Sequence, residues 1–304
     1  MKAVVYRRYG GPEVLEYTDV PDPKLSHNSL LVRVRAAALN PADHMLQAGL
    51  GESHTDAWFP VIPGWDLAGV VERVGAGVTE FAPGDEVIGY IRQEILHHGA
   101  YAELVSAPVE ALARKPRTAS WPEAAGLPLA GLTAYRAIVQ ILDVAPGETI
   151  LIHGAAGGVG ALAAQLALAR HARVIGAASA GQHAFLRSIG VLPVAHGEGI
   201  AARVRALALD GVDAVLDCVG KRVLHATAEL GSTRIRVSSI ADAGPGITTL
   251  FARLDSAILA RLVEMVDAGE LSVPIAATYP LAQAAAAQTA LKQPHPPGKI
   301  VLVV

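Results

Sequence analysis

The stretch Ile150-Leu151-Ile152-His153-Gly154-Ala155-Ala156-Gly157-Gly158-Val159-Gly160, continued by Ala161-Leu162-Ala163-Ala164-Gln165-Leu166-Ala167, decides the fold. An apolar run breaks into glycine and alanine, then resumes without a breaker as far as Arg170. That order predicts a strand over Thr149 to His153, a tight turn and an alanine-rich helix. Arg173 to Ala178 reads as a second strand, so the segment is a βαβ unit. Further strands are predicted at Ala214 to Cys218 and Ile235 to Ser239, with helical segments between them, and a helix over about Leu129 to Leu142 comes first. A doubly wound parallel sheet with right-handed crossovers is the natural assembly.

The turn also carries chemistry. A pyrophosphate needs close backbone approach and inward-pointing N–H groups, which small residues opening a helix supply at its partially positive end. Gly157, Gly158 and Gly160, with Ala156 and Val159, offer that surface, although Ala155 stands at the first glycine position of the G-x-G-x-x-G pattern. A tight turn that only packs strand on helix is the alternative, and the βαβ frame favours the dinucleotide. An NAD-binding unit commonly places an acid about 20 residues further on, against the ribose. Here the second strand ends Gly176-Ala177-Ala178-Ser179-Ala180-Gly181-Gln182-His183 with no acid. Ser179 can donate to a 2′-phosphate that no carboxylate repels, so NADPH is favoured over NADH. Arg187, on the next helix, either assists or is a solvated charge.

Outward from this unit the pattern changes. Before about residue 115, short apolar runs alternate with Gly, Pro, Asn and Asp: Lys2 to Tyr6, Leu30 to Ala36, Ala68 to Val74, Glu86 to Tyr90 and Ala102 to Val105. They predict a strand-rich unit. Ser120-Trp121-Pro122-Glu123 reads as a capped helix start, so the second domain is expected to begin near Thr118. A helix over about Leu254 to Ala268, a strand over Val273 to Tyr279, a short helix from Leu281 and a last strand over Ile300 to Val303 return to the first domain. The expected division is 1–116, 117–256 and 257–304.

A chain of 304 residues can bury two cores, and 52% hydrophobic with 17% charged residues suits a packed protein. A net charge of −3 without a dense Lys/Arg tract gives nucleic acid or anionic lipid nothing to hold, which leaves a small-molecule partner. Cys218 is the only cysteine, so neither an intrachain disulfide nor a multi-cysteine zinc cage can form, and cytoplasmic residence is expected. Lys2, Arg7 and Arg8 put charge where a signal peptide would need an apolar core. The most apolar stretch, 149 to 180, is broken by glycines, His153, Arg170, His171 and Arg173, so no membrane span is expected.

Several further motifs occur in a telling order: Tyr9-Gly10-Gly11-Pro12-Glu13-Val14-Leu15, Ala38-Leu39-Asn40-Pro41-Ala42-Asp43, Pro63-Gly64-Trp65-Asp66-Leu67-Ala68-Gly69-Val70-Val71, Pro83-Gly84-Asp85-Glu86-Val87-Ile88-Gly89, Gly99-Ala100-Tyr101-Ala102-Glu103 and Gly131-Leu132-Thr133-Ala134. With the glycine turn they resemble, over almost the whole chain, the quinone oxidoreductase-like branch of the medium-chain dehydrogenase/reductase superfamily. The resemblance implies an α/β protein with a GroES-like β-rich catalytic domain, formed from both chain ends around an inserted, doubly wound Rossmann domain. The active site would lie in the cleft between them. It also implies hydride transfer from nicotinamide to an electron-poor small molecule, with Asn40 and Thr133 beside the nicotinamide half, and a homodimer. An Asn40 that only shapes a turn and a Thr133 that only packs a helix are the alternatives.

Departures shape the expectation. Zinc-dependent relatives carry cysteine ligands and a Gly-His-Glu segment; this chain has Trp65-Asp66 there, so no catalytic metal is expected. Tyrosines that some relatives place after Asn-x-x-Asp are replaced by His44-Met45 and Gly51, and Pro296-Pro297-Gly298-Lys299 lacks an arginine. Lys299 is read as an anion support or, more blandly, a solvated charge.

The expected reaction is hydride transfer from NADPH to a quinone or to the β-carbon of an enone, with protonation completing reduction. His44 and Tyr90 are the candidates for polarisation or proton delivery, against a surface histidine and a packed aromatic. His97-His98 lacks a third metal ligand and reads as part of a solvated loop over Arg92 to His98. Two other functions fit the same motifs: an enoyl reductase acting on a biosynthetic thioester or polyketide-like intermediate, and a catalytically weak NADPH-binding sensor or partner-binding protein.

Overall fold

Thr149–His153 is a central strand of a six-stranded parallel sheet in the computed structural model, which describes residues 1–220, 230 and 235–304. Across that sheet the order is Leu192–Ala195, Arg173–Ala178, Thr149–His153, Ala214–Asp217, Arg236–Ser239 and Thr248–Thr249. The chain builds outward on one side of Thr149–His153, then returns to its other flank, so the order reverses between Thr149–His153 and Ala214–Asp217, where His153 pairs in register with Asp217. In open α/β sheets ligands bind at such a reversal, outside the carboxyl ends of the strands.

Local chemistry explains these elements. Thr149–His153 and Arg173–Ala178 are buried from their second residue onward, as strands covered on both faces must be, and so lack alternation. The helix Gly158–Ala169 is buried continuously from Gly160 to Ala167, which is why its apolar residues run all round it. Ala155, at the first glycine position, is accommodated by a neighbour: a Cβ on Gly176 would lie 2.8 Å from that of Ala155. The helix expected over Leu129 to Leu142 is α-helical over Pro128–Tyr135 and widens to a π-helix over Arg136–Ile141. The helical segment expected after Cys218 lies outside the described residues.

The other unit comprises Met1–Leu129, Leu254–Ala268 and Val273–Val304. Its main sheet runs Ile275–Pro280, Lys299–Val303, Ser29–Ala38, Asp66–Val74, Glu86–Tyr90 and Leu112–Arg114, with Leu104–Pro108 also on Ser29–Ala38. The C-terminal strand lies antiparallel to Ser29–Ala38, Val301 opposite Ala38, and closes one core over Leu30, Val32, Leu67, Tyr101, Ile300 and Leu302. Ser120 caps the helix Trp121–Gly126, exchanging hydrogen bonds with Glu123. That helix packs on Ser29–Ala38 and Asp66–Val74, so it belongs to this unit rather than opening the next, which starts at Ala130.

The expectation for Arg92 to His98 is corrected in part. Ile95–His98 is a strand, parallel to Asp56–Ile62, and His97 Nδ1 lies 2.7 Å from the Trp58 carbonyl. Strands this short, with exposed residues among them, carry no clean alternation. Among the described residues no helix is long and apolar enough to cross a membrane.

Candidate functional site

In the parallel-sheet unit the glycine turn is built as a backbone cradle. Gly154 turns the chain with φ +72°, and its N–H and that of Ala155 both donate to the Ala177 carbonyl, locking the turn to the adjacent strand. Gly157 stands at the cap position but has no side chain to fold back over the helix's first N–H groups, which leaves them uncapped. Gly157, Gly158 and Val159 are partly exposed, while Ala156 and Gly160 are buried. A Cβ on Gly160 would sit 2.2 Å from the Gly154 carbonyl oxygen, so this glycine permits close packing of helix on turn. The result is an uncapped, partly exposed helix start at the sheet's reversal, a fit to a dinucleotide pyrophosphate.

Ser179 lies exposed just past Arg173–Ala178, and Arg187 is exposed on the helix His183–Ser188. Thr133 is buried within Pro128–Tyr135. Sequence reasoning missed Asp217. Fully buried, its carboxylate accepts from the N–H groups of Val219 (2.8 Å) and Gly220 (3.0 Å) and from Ser239 Oγ (2.8 Å). Ser239 Oγ in turn accepts from Ala241 and Asp242 N–H, so one acid fixes two loops at the carboxyl ends of adjacent strands. The signal was an acid ending the apolar run Ala214-Val215-Leu216. Burial holds the neighbouring His153 imidazole below its ordinary value, opposed by Asp217.

In the other unit a buried polar cluster gathers around Asn40, which caps the helix Pro41–Gln47. Asn40 Nδ2 donates to Asp66 Oδ2 at 2.9 Å, and its Oδ1 accepts from Lys299 Nζ at 2.5 Å. Asp66 also accepts from the Leu129 N–H, and Lys299 donates to the Leu39 carbonyl. Lys299 is 5% exposed and 3.7 Å from Asp66, which corrects its reading as a solvated charge: the preceding Gly298 turn, φ +104°, brings it inward with the last strand. Burial pushes the Lys299 ammonium down and the Asp66 carboxyl up, and each partner opposes the other's shift.

Asp43 Oδ2 accepts from the Asn40 N–H (2.8 Å) and the Tyr101 hydroxyl (3.1 Å). Burial, more than any partner, raises its carboxyl to about 7. Gln47 anchors the far end of the helix to the Gly11 carbonyl and to Gln288. His44, on the same helix, sits near Glu13 and Lys292, with its imidazole pushed down by burial. Tyr90 is buried edge-on to Trp65, its hydroxyl held protonated by burial. The structure thus groups Asn40 with Asp43, Asp66, Tyr101 and Lys299, a set in which the sequence singled out only Asn40 as a site residue.

Residues 26–117 match the family described as alcohol dehydrogenase GroES-like domain, and residues 198–302 the family described as zinc-binding dehydrogenase. The chloroplastic quinone-oxidoreductase QR1 of Triphysaria versicolor is 30% identical over 334 residues, covering 99% of this chain and 98% of that protein. The chloroplastic NADPH-dependent alkenal/one oxidoreductase of Arabidopsis thaliana is 38% identical over 199 residues, 62% of this chain and 50% of that protein. A crystal structure of an NAD-dependent alcohol dehydrogenase superposes with a TM-score of 0.92 at 31% identity, over 100% of both chains. The chain belongs to the medium-chain dehydrogenase/reductase superfamily, in its quinone oxidoreductase-like branch. It spans about half the length of several curated relatives it matches, the Arabidopsis protein among them.

The zinc in the second family's description does not suit these donors. Asp66 is saturated by Asn40, Leu129 and Lys299, its neighbour Trp65 offers no ligand, and Cys218 belongs to the other unit. Among the described residues no three His, Cys, Asp or Glu are grouped to hold an ion.

Proposed function

We propose that this protein is an NADPH-dependent oxidoreductase that reduces a quinone or the activated carbon–carbon double bond of an enone, without a catalytic zinc. The observation that carries the reading is the uncapped helix start at Gly157–Gly160, set at the reversal of the parallel sheet. Full-length similarity to a quinone oxidoreductase supports the choice of acceptor.

When bound, the cofactor supplies the hydride. The residues do the rest. The turn Ala156 to Gly160 offers the pyrophosphate the N–H groups that open the helix, that of Gly157 being given to the Gly154 carbonyl, and Ser179 offers its hydroxyl to the 2′-phosphate. Asn40, its amide held at both ends by Asp66 and Lys299, and Thr133 are assigned to the nicotinamide half. A side chain clamped in this way loses no freedom on binding, which favours a fixed cofactor pose. Proton delivery is assigned to His44 or Tyr90. A homodimer and cytoplasmic residence belong to the same reading, supported by the family and by the sole cysteine.

The test is to mix purified protein with NADPH or NADH and quinones, enones or primary alcohols, without added metal, and follow nicotinamide absorbance. Faster NADPH oxidation with quinones or enones is expected. Tight NADPH binding with no turnover on the panel would sink the reading.

A further inference from the structure

The first unit holds a narrow, half-open recess whose wall includes Tyr6, Asp43, Leu46, Ile62, Trp65 and His98. Leu46, Ile62 and Trp65 make it apolar enough for a carbon skeleton. One buried side-chain polar atom in this wall residue set has no hydrogen-bond partner among the described residues: Asp43 Oδ1, on a residue only 5% exposed.

The hydrogen bonds of Asp43 limit what that atom can do. Its Oδ2 accepts from the Asn40 backbone N–H, which can only donate, and from the Tyr101 hydroxyl. A neutral carboxyl carries its proton either on Oδ2, given to the Tyr101 hydroxyl oxygen, or on Oδ1, where with Tyr101 donating to Oδ2 it is a buried O–H donor that an acceptor on a ligand can take. Such a donor is costly until something accepts from it. We propose that the recess binds the carbonyl oxygen of a small neutral acceptor, with Asp43 donating the hydrogen bond from Oδ1.

The surrounding charges agree. Lys299 is already taken by Asp66, Asn40 and Leu39, so a second buried carboxylate has no cation of its own. Burial, with the Asp66 charge adding to it, brings the Asp43 carboxyl to about 7 against the pull of Asn40, Lys299 and Tyr101. From the other elements around it, Tyr6, Tyr90 and Tyr101 present hydroxyls that burial keeps protonated, and His98 an imidazole that burial keeps below its usual value; His97 lies beside it. The wall carries no Lys or Arg for an anionic ligand, and a neutral carbonyl can accept from the Asp43 O–H. The ligand's identity as the reducible acceptor rests on the reductase reading, whereas its binding needs no nicotinamide.

The test is equilibrium binding of cyclohex-2-enone and of cyclohexene to the full chain without nicotinamide, at pH 6 and pH 8. With the binding-competent acid mostly present at the lower pH and mostly lost at the higher, enone should bind about tenfold more tightly at pH 6, and cyclohexene equally at both. Asp43→Asn places an amide N–H where the acid's proton was and should bind enone equally at both values. Tyr101→Phe removes a donor that favours the carboxylate and should move the midpoint to higher pH. Enone affinity equal at both values in the wild-type protein would overturn the proposal, and so would the same pH dependence persisting in Asp43→Asn. Failure of the two readings is separable: pH-dependent enone binding without NADPH oxidation sinks only the reductase, and turnover with pH-independent binding sinks only the recess.

Discussion

Lys299 and Asn40 stand 259 positions apart and meet in one buried hydrogen bond, Nζ to Oδ1 at 2.5 Å. The last strand pairs with Ser29–Ala38, and two residues past that strand's end the helix cap Asn40 receives the ammonium. Lys299 thus ties the C-terminus to the residue assigned to the nicotinamide, and neutralises Asp66 as it does so. Lys299→Met should leave a buried carboxylate uncompensated and cost about 3–5 kcal/mol in urea unfolding. Lys299→Met combined with Asp66→Leu should cost less than the two single changes together, since no unpaired charge remains. A loss below about 0.5 kcal/mol for Lys299→Met would return it to the class of solvated surface charges.

The glycines of the turn should separate by what a methyl group meets. Gly160→Ala drives a Cβ into the Gly154 carbonyl and Ala155 Cα, which are backbone and cannot swing away, so stability should fall by roughly 1–3 kcal/mol and NADPH affinity with it. Gly157→Ala meets only the Gly154 oxygen at 3.3 Å, so stability should hold while the methyl obstructs the pyrophosphate. Gly181→Ala meets nothing within 4 Å and is the neutral control. Fluorescence titration of NADPH beside thermal unfolding reads both quantities. Equal NADPH affinity in wild-type and Gly157→Ala proteins would remove the turn from the cofactor site.

Cofactor preference turns on Ser179. Its exposed position past the second strand has no carboxylate nearby in sequence, so Ser179→Asp places a negative charge where the 2′-phosphate is expected. NADPH affinity should fall by about tenfold or more while NADH, with hydroxyls to offer the new acid, holds or gains. Parallel losses for both cofactors would show that the phosphate lies elsewhere.

The parallel sheet was legible because buried strands leave an unmistakable trace: Thr149–His153 and Arg173–Ala178 match the sequence expectation residue for residue. Leu192–Ala195 and Thr248–Thr249 were missed, the first for a proline in its middle and the second for its two-residue length. The candidate site divides along the same line. The glycine turn is local and could be read directly, whereas Asn40 meets Asp66 and Lys299 from 26 and 259 positions away. No window of sequence shows that Lys299 faces inward. Only the pairing of the last strand beside Asn40 does.

Asp43 should also set how stability responds to pH. Its folded-state value of about 7 lies above the ordinary 3.8, so between these limits the folded chain holds a proton that the unfolded chain has released. Stability therefore falls as pH rises through this window. Below pH 4 both states are protonated and nothing is lost; above pH 7 the full penalty, about 4 kcal/mol, is present. Many other carboxylates titrate at the acid end, so the quantity to measure is the difference in unfolding free energy between wild-type and Asp43→Asn proteins. From pH 5 to pH 8 the wild-type protein should lose roughly 2–3 kcal/mol relative to the variant, which has no proton to give up. A gap that stays constant over that range would mean Asp43 is ionised throughout, with Lys299 and the Asn40 and Tyr101 donors outweighing its burial.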